Sequence, residues 1–411
     1  MAIGHRLYLS AVLGSLRAVR DLRGALAILA GMSFISQVGI AMMLPLIPLY
    51  ALELGASRAQ LGYLTSAFSA ANLVSQLGSG FLIDRIGSRP LIRAGIGAYA
   101  GANVLIATAS NAVSVIAYRG VAGLGGGANL VADRVYLSQT AAPERLAFTN
   151  GVLSAAASSG QLIGPAIGGV LGQFYGLSAP FVVVAITSGL AFIGSLFLPV
   201  PPRRPAPTVA PGAFLNRAIV VILVANLLLL TTYGGFITTF AAYATTQLGW
   251  QTFEVGFVFS FFALGSILLG PWLAGLADRT GRRRMAIIGA ALIALFGVSF
   301  AAELPRPLLY AVAALSGAGI AVFTASTFAL LTAASPEARR GRTFGFVNAF
   351  ASLGVIVGAI GGTAIWDLLG LRMAILAVSG GAALAGVALL AFPREPVPYR
   401  SPIGEVPNGT A

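Results

Sequence analysis

Two copies of one short signature stand 194 positions apart in this chain, each between hydrophobic stretches. The first reads Gly80-Phe81-Leu82-Ile83-Asp84-Arg85-Ile86-Gly87-Ser88-Arg89, the second Ala274-Gly275-Leu276-Ala277-Asp278-Arg279-Thr280-Gly281-Arg282-Arg283. The same offset pairs Gly123 with Gly317, Gly125 with Gly319, Gly151 with Gly345, Gly160 with Gly354, Gly164 with Gly358 and Gly168 with Gly362. A chain that repeats itself over its whole length folds as two similar units, and the solvent those units require decides their class.

That solvent is lipid. Of 411 residues, 57% are hydrophobic and 9% charged, with a mean hydropathy of +0.89; soluble domains carry roughly 25% charged residues. Crossing a bilayer as a helix takes about 20 apolar residues. Twelve stretches qualify, near 25–50, 59–83, 91–110, 113–138, 148–172, 179–199, 216–247, 254–277, 285–303, 307–334, 343–367 and 372–392. The expected fold is therefore an all-α membrane protein of twelve transmembrane helices in two pseudo-symmetric six-helix bundles. Its parts would be a basic amphipathic arm (1–24), an N-terminal bundle (25–199), a proline-rich cytoplasmic linker (200–215), a C-terminal bundle (216–392) and a cytoplasmic tail (393–411). The 52 glycines fit closely packed membrane helices.

The net charge of +13 raises the question of a nucleic-acid partner, and the distribution answers it. All 25 basic residues are arginines, gathered at alternate ends of the stretches. Arg85, Arg89, Arg145, Arg203, Arg204, Arg279, Arg282, Arg283, Arg284, Arg339, Arg340 and Arg342 fall on one side; only Arg58, Arg306 and Arg372 fall on the other. That is the positive-inside pattern, with both termini cytoplasmic in a multi-pass protein, as in the inner membrane of a prokaryote, rather than a nucleic-acid-binding stripe. The acids Glu254, Glu303 and Asp367 then sit at outer ends, where solvation is expected. The chain has no cysteine and one histidine, His5, so neither thiolate chemistry nor a metal cluster is expected. No nucleophile–base pair and no phosphate-binding Gly-x-x-x-x-Gly-Lys-Ser/Thr loop is present, which argues against an enzyme and against ATP drive. Tandem six-helix repeats suit secondary transport, with the site between the repeats and no cofactor expected.

Several motifs sharpen this. The Asp-Arg-x-Gly loops follow the second and eighth stretches. Arg119-x-x-x-Gly123-x-Gly125 lies in the fourth, and Gly160-x-x-x-Gly164-Pro165-x-x-Gly168-Gly169 in the fifth. Gly39 followed by Pro45-x-x-Pro48 ends the first. Together they resemble the major facilitator superfamily over residues 25–392, and its drug:proton antiporter branch in particular. The resemblance implies a monomeric exporter of hydrophobic or amphipathic small molecules working by proton antiport. It also implies that Gly80, Asp84, Arg85, Gly87 and Arg89, with Asp278, Arg279, Gly281 and Arg283 in the second copy, form a cytoplasmic latch that closes the outward-open state from below. The alternative for these loops is a solvated topology anchor.

In the fourth stretch, Arg119 and Asp133 lie about 40° apart in azimuth and roughly 21 Å apart along a helix. Charges at that depth face a cavity or a partner. Arg119 is a candidate for proton-linked gating or substrate contact, against a buried ion pair. Asp133 is a candidate protonation site, or a latch partner of Arg85 or Arg89, as the resemblance implies. The glycine stripe Gly160, Gly164, Gly168 with Gly169, bent at Pro165, offers a smooth face to another helix. Candidate cavity residues are Phe34, Gln37, Asn72, Gln76, Asn129, Gln161, Tyr233, Phe240, Thr324 and Asn348, with Phe68 and Phe262 as further aromatic faces; a wall so poor in charge suits hydrophobic or amphipathic substrates. A uniporter or symporter for a small organic anion or neutral metabolite on the same fold is the alternative reading.

Overall fold

The computed structural model describes residues 24, 26–140, 146–201, 215–335 and 340–393. The N-terminal arm up to residue 23, Arg145, residues 202–214 of the connector, Arg339 and the tail beyond 393 lie outside the described residues. All regular structure within them is helical.

Thirteen helices follow in order: α1 (Leu26–Met43), α2 (Ile47–Glu53), α3 (Arg58–Ile86), α4 (Ser88–Ala107), α5 (Ala112–Thr140), α6 (Leu146–Tyr175), α7 (Ala179–Leu196), α8 (Arg217–Thr246), α9 (Thr252–Thr280), α10 (Arg282–Ala301), α11 (Arg306–Ala334), α12 (Arg340–Leu369) and α13 (Leu371–Leu390). The first predicted stretch is split: a turn at Leu44–Leu46 separates α1 from α2, because Pro45 has no N–H to continue the ladder. The other eleven stretches each correspond to one helix. Nine helices are long and apolar enough to cross a membrane, among the described residues. The three long helices outside that set are α3, α5 and α6. They carry Asn72, Arg119 and Gln161, and those polar residues turn out to face a cavity.

Local chemistry sets the helix ends. Ser57 and Gln60 form a reciprocal capping box at the start of α3, and Gln251 with Glu254 does the same for α9. The Asp-Arg-x-Gly signature proves to be a helix end rather than an open loop. Asp84 and Arg85 lie in the last turn of α3, and one residue, Gly87, caps α3 and starts α4. Its φ of +88° is a conformation glycine adopts freely; Gly281, at +106°, joins α9 to α10 in the same way.

The repeat is visible in the packing. A Cβ on Gly123 would strike the Phe68 carbonyl, and one on Gly317 would strike that of Phe262, so α5 seats on α3 as α11 seats on α9. Gly160, Gly164 and Gly168 bring α6 onto the backbone of α1 at Phe34, Val38 and Met42. Their counterparts Gly354 and Gly358 bring α12 onto α8 at Leu227 and Thr231. One detail breaks the symmetry. Arg283 donates from Nε to the Leu389 carbonyl at 2.9 Å, satisfying the end of α13. At the end of α7 the same task falls not to Arg89, its counterpart, but to Arg93, whose Nη2 donates to the Leu196 carbonyl at 2.7 Å.

Candidate substrate cavity and its two ends

A cavity of about 410 Å³ lies among the helices, with walls contributed by α1, α3, α5 and α6 on one side and α8 to α13 on the other. Its two sides differ in chemistry. The first presents Gln37, Thr65, Ser69, Asn72, Arg119 and Gln161, with Phe68. The second presents Phe236, Phe259, Phe262 and Phe296 among aliphatic residues, with Thr232, Tyr233, Ser316, Ser352 and Ser379 as its polar points. The rings form a connected cluster: Phe236 to Phe296 is 5.0 Å between centroids, and Phe236 to Phe259 is 5.5 Å.

Arg119 is 4% exposed, seven residues into α5. Its guanidinium carbon sits 4.2 Å from the centroid of the Phe68 ring, a cation–π contact. One terminal nitrogen points to the Met43 sulfur at 4.0 Å, and Nε is buried with no hydrogen-bond partner. Its electrostatic neighbours are the phenols of Tyr99 and Tyr233 rather than a carboxylate. The buried ion pair weighed for this residue is not what surrounds it.

Of the expected cavity residues, Gln37, Asn72, Gln161 and Tyr233 line the wall, as do Phe68 and Phe262. Gln76 lies off it and donates to Asn72. Phe34 packs against the core around α1. Phe240 is fully buried behind the aromatic wall, 4.6 Å from Phe236. Thr324 lines a separate open groove beside α11 with Ser154, Ser266 and Phe328, and Asn348 is exposed on α12. The phenylalanines that do form the wall were within reach of helical spacing: Phe236 stands one turn from Tyr233, and Phe259 one turn from Phe262.

Asp133 and Asn129 also lie away from the cavity wall, toward the arginine-rich end of α5. Asn129 Nδ2 donates to Asp133 Oδ2 at 2.9 Å, while Oδ1 is buried without a partner. Neither Arg85 nor Arg89 pairs with it. Arg85 stacks over Phe81 at 4.2 Å, and the Nε of Arg89 is buried without a partner. In the second copy Asp278 pairs within its own chain turn, with Arg282 at 3.0 Å. Among the described residues, Asp84, Arg85, Arg89, Asp133 and Asp278 make no ion pair between the two groups of helices.

Closure lies at the opposite, arginine-poor end. Across it Arg58 meets Asp367 at 3.2 Å, with Arg58 also 5.4 Å from the Trp366 ring. Thr238 donates to Thr65 at 2.9 Å. The Ala166 N–H, next to the bend at Pro165, donates to Ser260 Oγ of α9 at 3.1 Å, and the Thr252 N–H donates to Gln173 at 3.0 Å. The expectation of solvated acids at this end holds for Glu303 and Asp367, both exposed, and is corrected for Glu254, which is 7% exposed and held by Arg306 at 2.8 Å while it caps α9. The glycine pattern agrees. A Cβ on Gly169 would meet Phe253 Cα at 2.8 Å, and one on Gly62 would meet Thr363 at 2.7 Å, whereas Gly80, Gly151, Gly275 and Gly345, nearer the arginine-rich end of the same helices, face open space.

The sequence profile of the Major Facilitator Superfamily matches residues 29–225 and again 222–409. The chain belongs to this superfamily. Similar proteins include the multidrug resistance protein MdtG of Proteus mirabilis, 28% identical over 82% of this chain and 88% of that protein. The multi-drug resistance efflux pump PmrA homolog of Lactococcus lactis is 27% identical, over 59% of this chain and 63% of that protein's length. Among solved structures, a point mutant of the nucleoside transporter NupG superimposes with a TM-score of 0.76 at 14% identity, over 90% of this chain and 99% of that one. A bacterial homolog to the human lysosomal transporter Spinster, inward-facing and unoccupied, superimposes with a TM-score of 0.72 at 14% identity, over 91% and 97%. These likenesses establish a multi-pass major facilitator fold, a fold of transporters, and place the chain among relatives of the multidrug-efflux branch.

Proposed function

We propose that this protein exports hydrophobic or amphipathic small molecules by alternating access, in exchange for protons. The observation that carries the reading is the asymmetry of the seam: the cavity is sealed at the arginine-poor end by contacts between α3 and α12 and between α6 and α9, while a Cβ on Gly80, Gly151, Gly275 or Gly345, nearer the other end of those helices, would meet no atom within 4 Å. With the arginine-rich end in the cytoplasm, this is an inward-open state ready to load. The moving bodies are the six-helix bundles 25–199 and 216–392, in a monomer with both termini cytoplasmic. In the outward-open state the cytoplasmic latch forms, with Gly80, Asp84, Arg85, Gly87 and Arg89 meeting residues of the other bundle, and Asp278, Arg279, Gly281 and Arg283 doing so in the second copy. Asp133 is the coupling group: its second carboxylate oxygen has no partner here, so a proton or an arginine has a place to go. The names of the relatives support efflux of several compounds.

One observation favours a second reading, a uniporter or symporter on the same fold. The described cavity wall contains no carboxylate, so proton binding and substrate binding do not share one acidic group. Proteoliposomes decide between them. Substrate-dependent proton movement that is lost in Asp133→Asn, with substrate binding retained, is the outcome expected of an antiporter. Flux of substrate without proton movement would transfer the assignment to uniport.

A further inference from the structure

We propose that the preferred occupant of the central cavity is an amphipathic monoanion, a single carboxylate or sulfonate head on an aromatic or aliphatic body, with the head received by Arg119. The proposal rests on the cavity being the transport site and goes further by naming the charge of what it takes.

Three observations converge. First, Arg119 is the single charged residue among the described residues of the cavity wall. An arginine stays protonated at any physiological pH, so the wall carries a positive charge that no acidic side chain among its described residues balances. Second, that charge is buried and poorly satisfied. Its protein contacts are one aromatic face and one thioether, and Nε has no acceptor. A buried cation without a counter-ion is costly, and an incoming anion with two oxygens offers the guanidinium the bidentate partner that the protein withholds. Third, the two walls are arranged as an amphiphile is. The cation stands with the amides of Asn72 and Gln161 on one side, and the rings of Phe236, Phe259 and Phe296 stand on the other. The counterpart of Arg119 in the second repeat is Ala313, fully buried, so the charge is not mirrored across the cavity. A volume of about 410 Å³ holds a ligand of a few fused rings or a medium acyl chain. A lipophilic cation would instead bring a second positive charge beside Arg119 with no acid to balance either.

The test uses three probes sharing one ring system: naphthylacetate, naphthylacetamide and naphthylmethylammonium, titrated onto the full-length protein in detergent. The anion is expected to bind at least about tenfold more tightly than the amide, the scale of a desolvated charge pair, with the cation weakest. Arg119→Gln is expected to erase the gap between anion and amide while amide binding stays within about twofold, and Arg119→Lys to keep part of it. Equal binding of anion and amide by the wild type, a preference for the cation, no binding of any probe, or an unchanged gap in Arg119→Gln would each overturn the proposal. The wild-type comparison stands without any variant. Proton movement driven by the amide or the cation, with no anion preference, would remove this proposal and leave proton-coupled export standing; anion preference without proton movement would do the reverse.

Discussion

The seam between the two groups of helices can be compared with itself at its two ends. On α9, Gly256 lies against the Pro165 carbonyl of α6, while Gly275, five turns further along, faces open space. On α3, a Cβ on Gly62 would press on α12, and one on Gly80 would meet no atom within 4 Å. The residue type is the same at both ends, so side-chain size does not decide which end is shut. What differs is polar engagement: the closed end adds Arg58–Asp367, Thr65–Thr238 and Ala166–Ser260, whereas at the other end Asp278 pairs with Arg282 one turn away, Arg85 stacks on Phe81 and Arg283 donates to the end of α13. A seam lined with small residues permits close approach at both ends, and the polar contacts at the closed end favour the conformation that makes them.

The largest effect should come from filling the closed end. Gly256→Leu overpacks a backbone contact, which costs about 1–3 kcal/mol and shifts the balance toward an outward-open state by roughly tenfold or more. The chain has no native cysteine, so a Ser69→Cys reporter in the cavity wall can be labelled selectively; its modification by an impermeant maleimide from the arginine-poor side should rise accordingly. Gly151→Leu is the matched change at the open end. There the reporter should remain as accessible as in the parent, yet transport should fall at least about tenfold if closing this face is part of the cycle; unimpaired transport would mean that the α6 face never closes. Ser260→Ala should be intermediate. It removes one hydrogen bond to the Ala166 N–H, about 0.5–1.5 kcal/mol, and should raise labelling from the arginine-poor side several-fold. Asp367→Asn should be smallest, since both partners are about half exposed and such pairs contribute about 0–1 kcal/mol. A larger effect from Asp367→Asn than from Ser260→Ala would show that the Arg58–Asp367 pair, and not the Ser260 hydrogen bond, is the stronger polar part of the seal.

Much of the architecture was legible in the residues. The 194-residue repeat anticipated symmetric contacts as specific as Gly123 on Phe68 and Gly317 on Phe262. The hydrophobic stretches anticipated the helices, apart from the break at Pro45. The site was legible in part, through polar residues set in apolar stretches: Gln37, Asn72, Arg119, Gln161 and Tyr233 all reach the cavity. The phenylalanine wall was harder to single out, because 24 phenylalanines in a membrane protein look alike until their faces are known. The glycine stripe of α6 was also ambiguous. Its spacing announces close packing but not the partner, and Gly160, Gly164 and Gly168 are used against α1, leaving Pro165 and Gly169 to meet α9.

The division has a physical basis. Hydropathy, proline and glycine act within a turn or two of their own positions, so span, helix ends and internal symmetry are written locally and can be read without coordinates. Which charges meet depends on how helices hundreds of residues apart are placed. Arg58 finds Asp367 across 309 positions, Glu254 is buried against Arg306, and Arg119 has no acid beside it among the described residues. Only the assembled bundle could decide those pairings, and with them the closed end of the seam and the sign of the charge in the cavity.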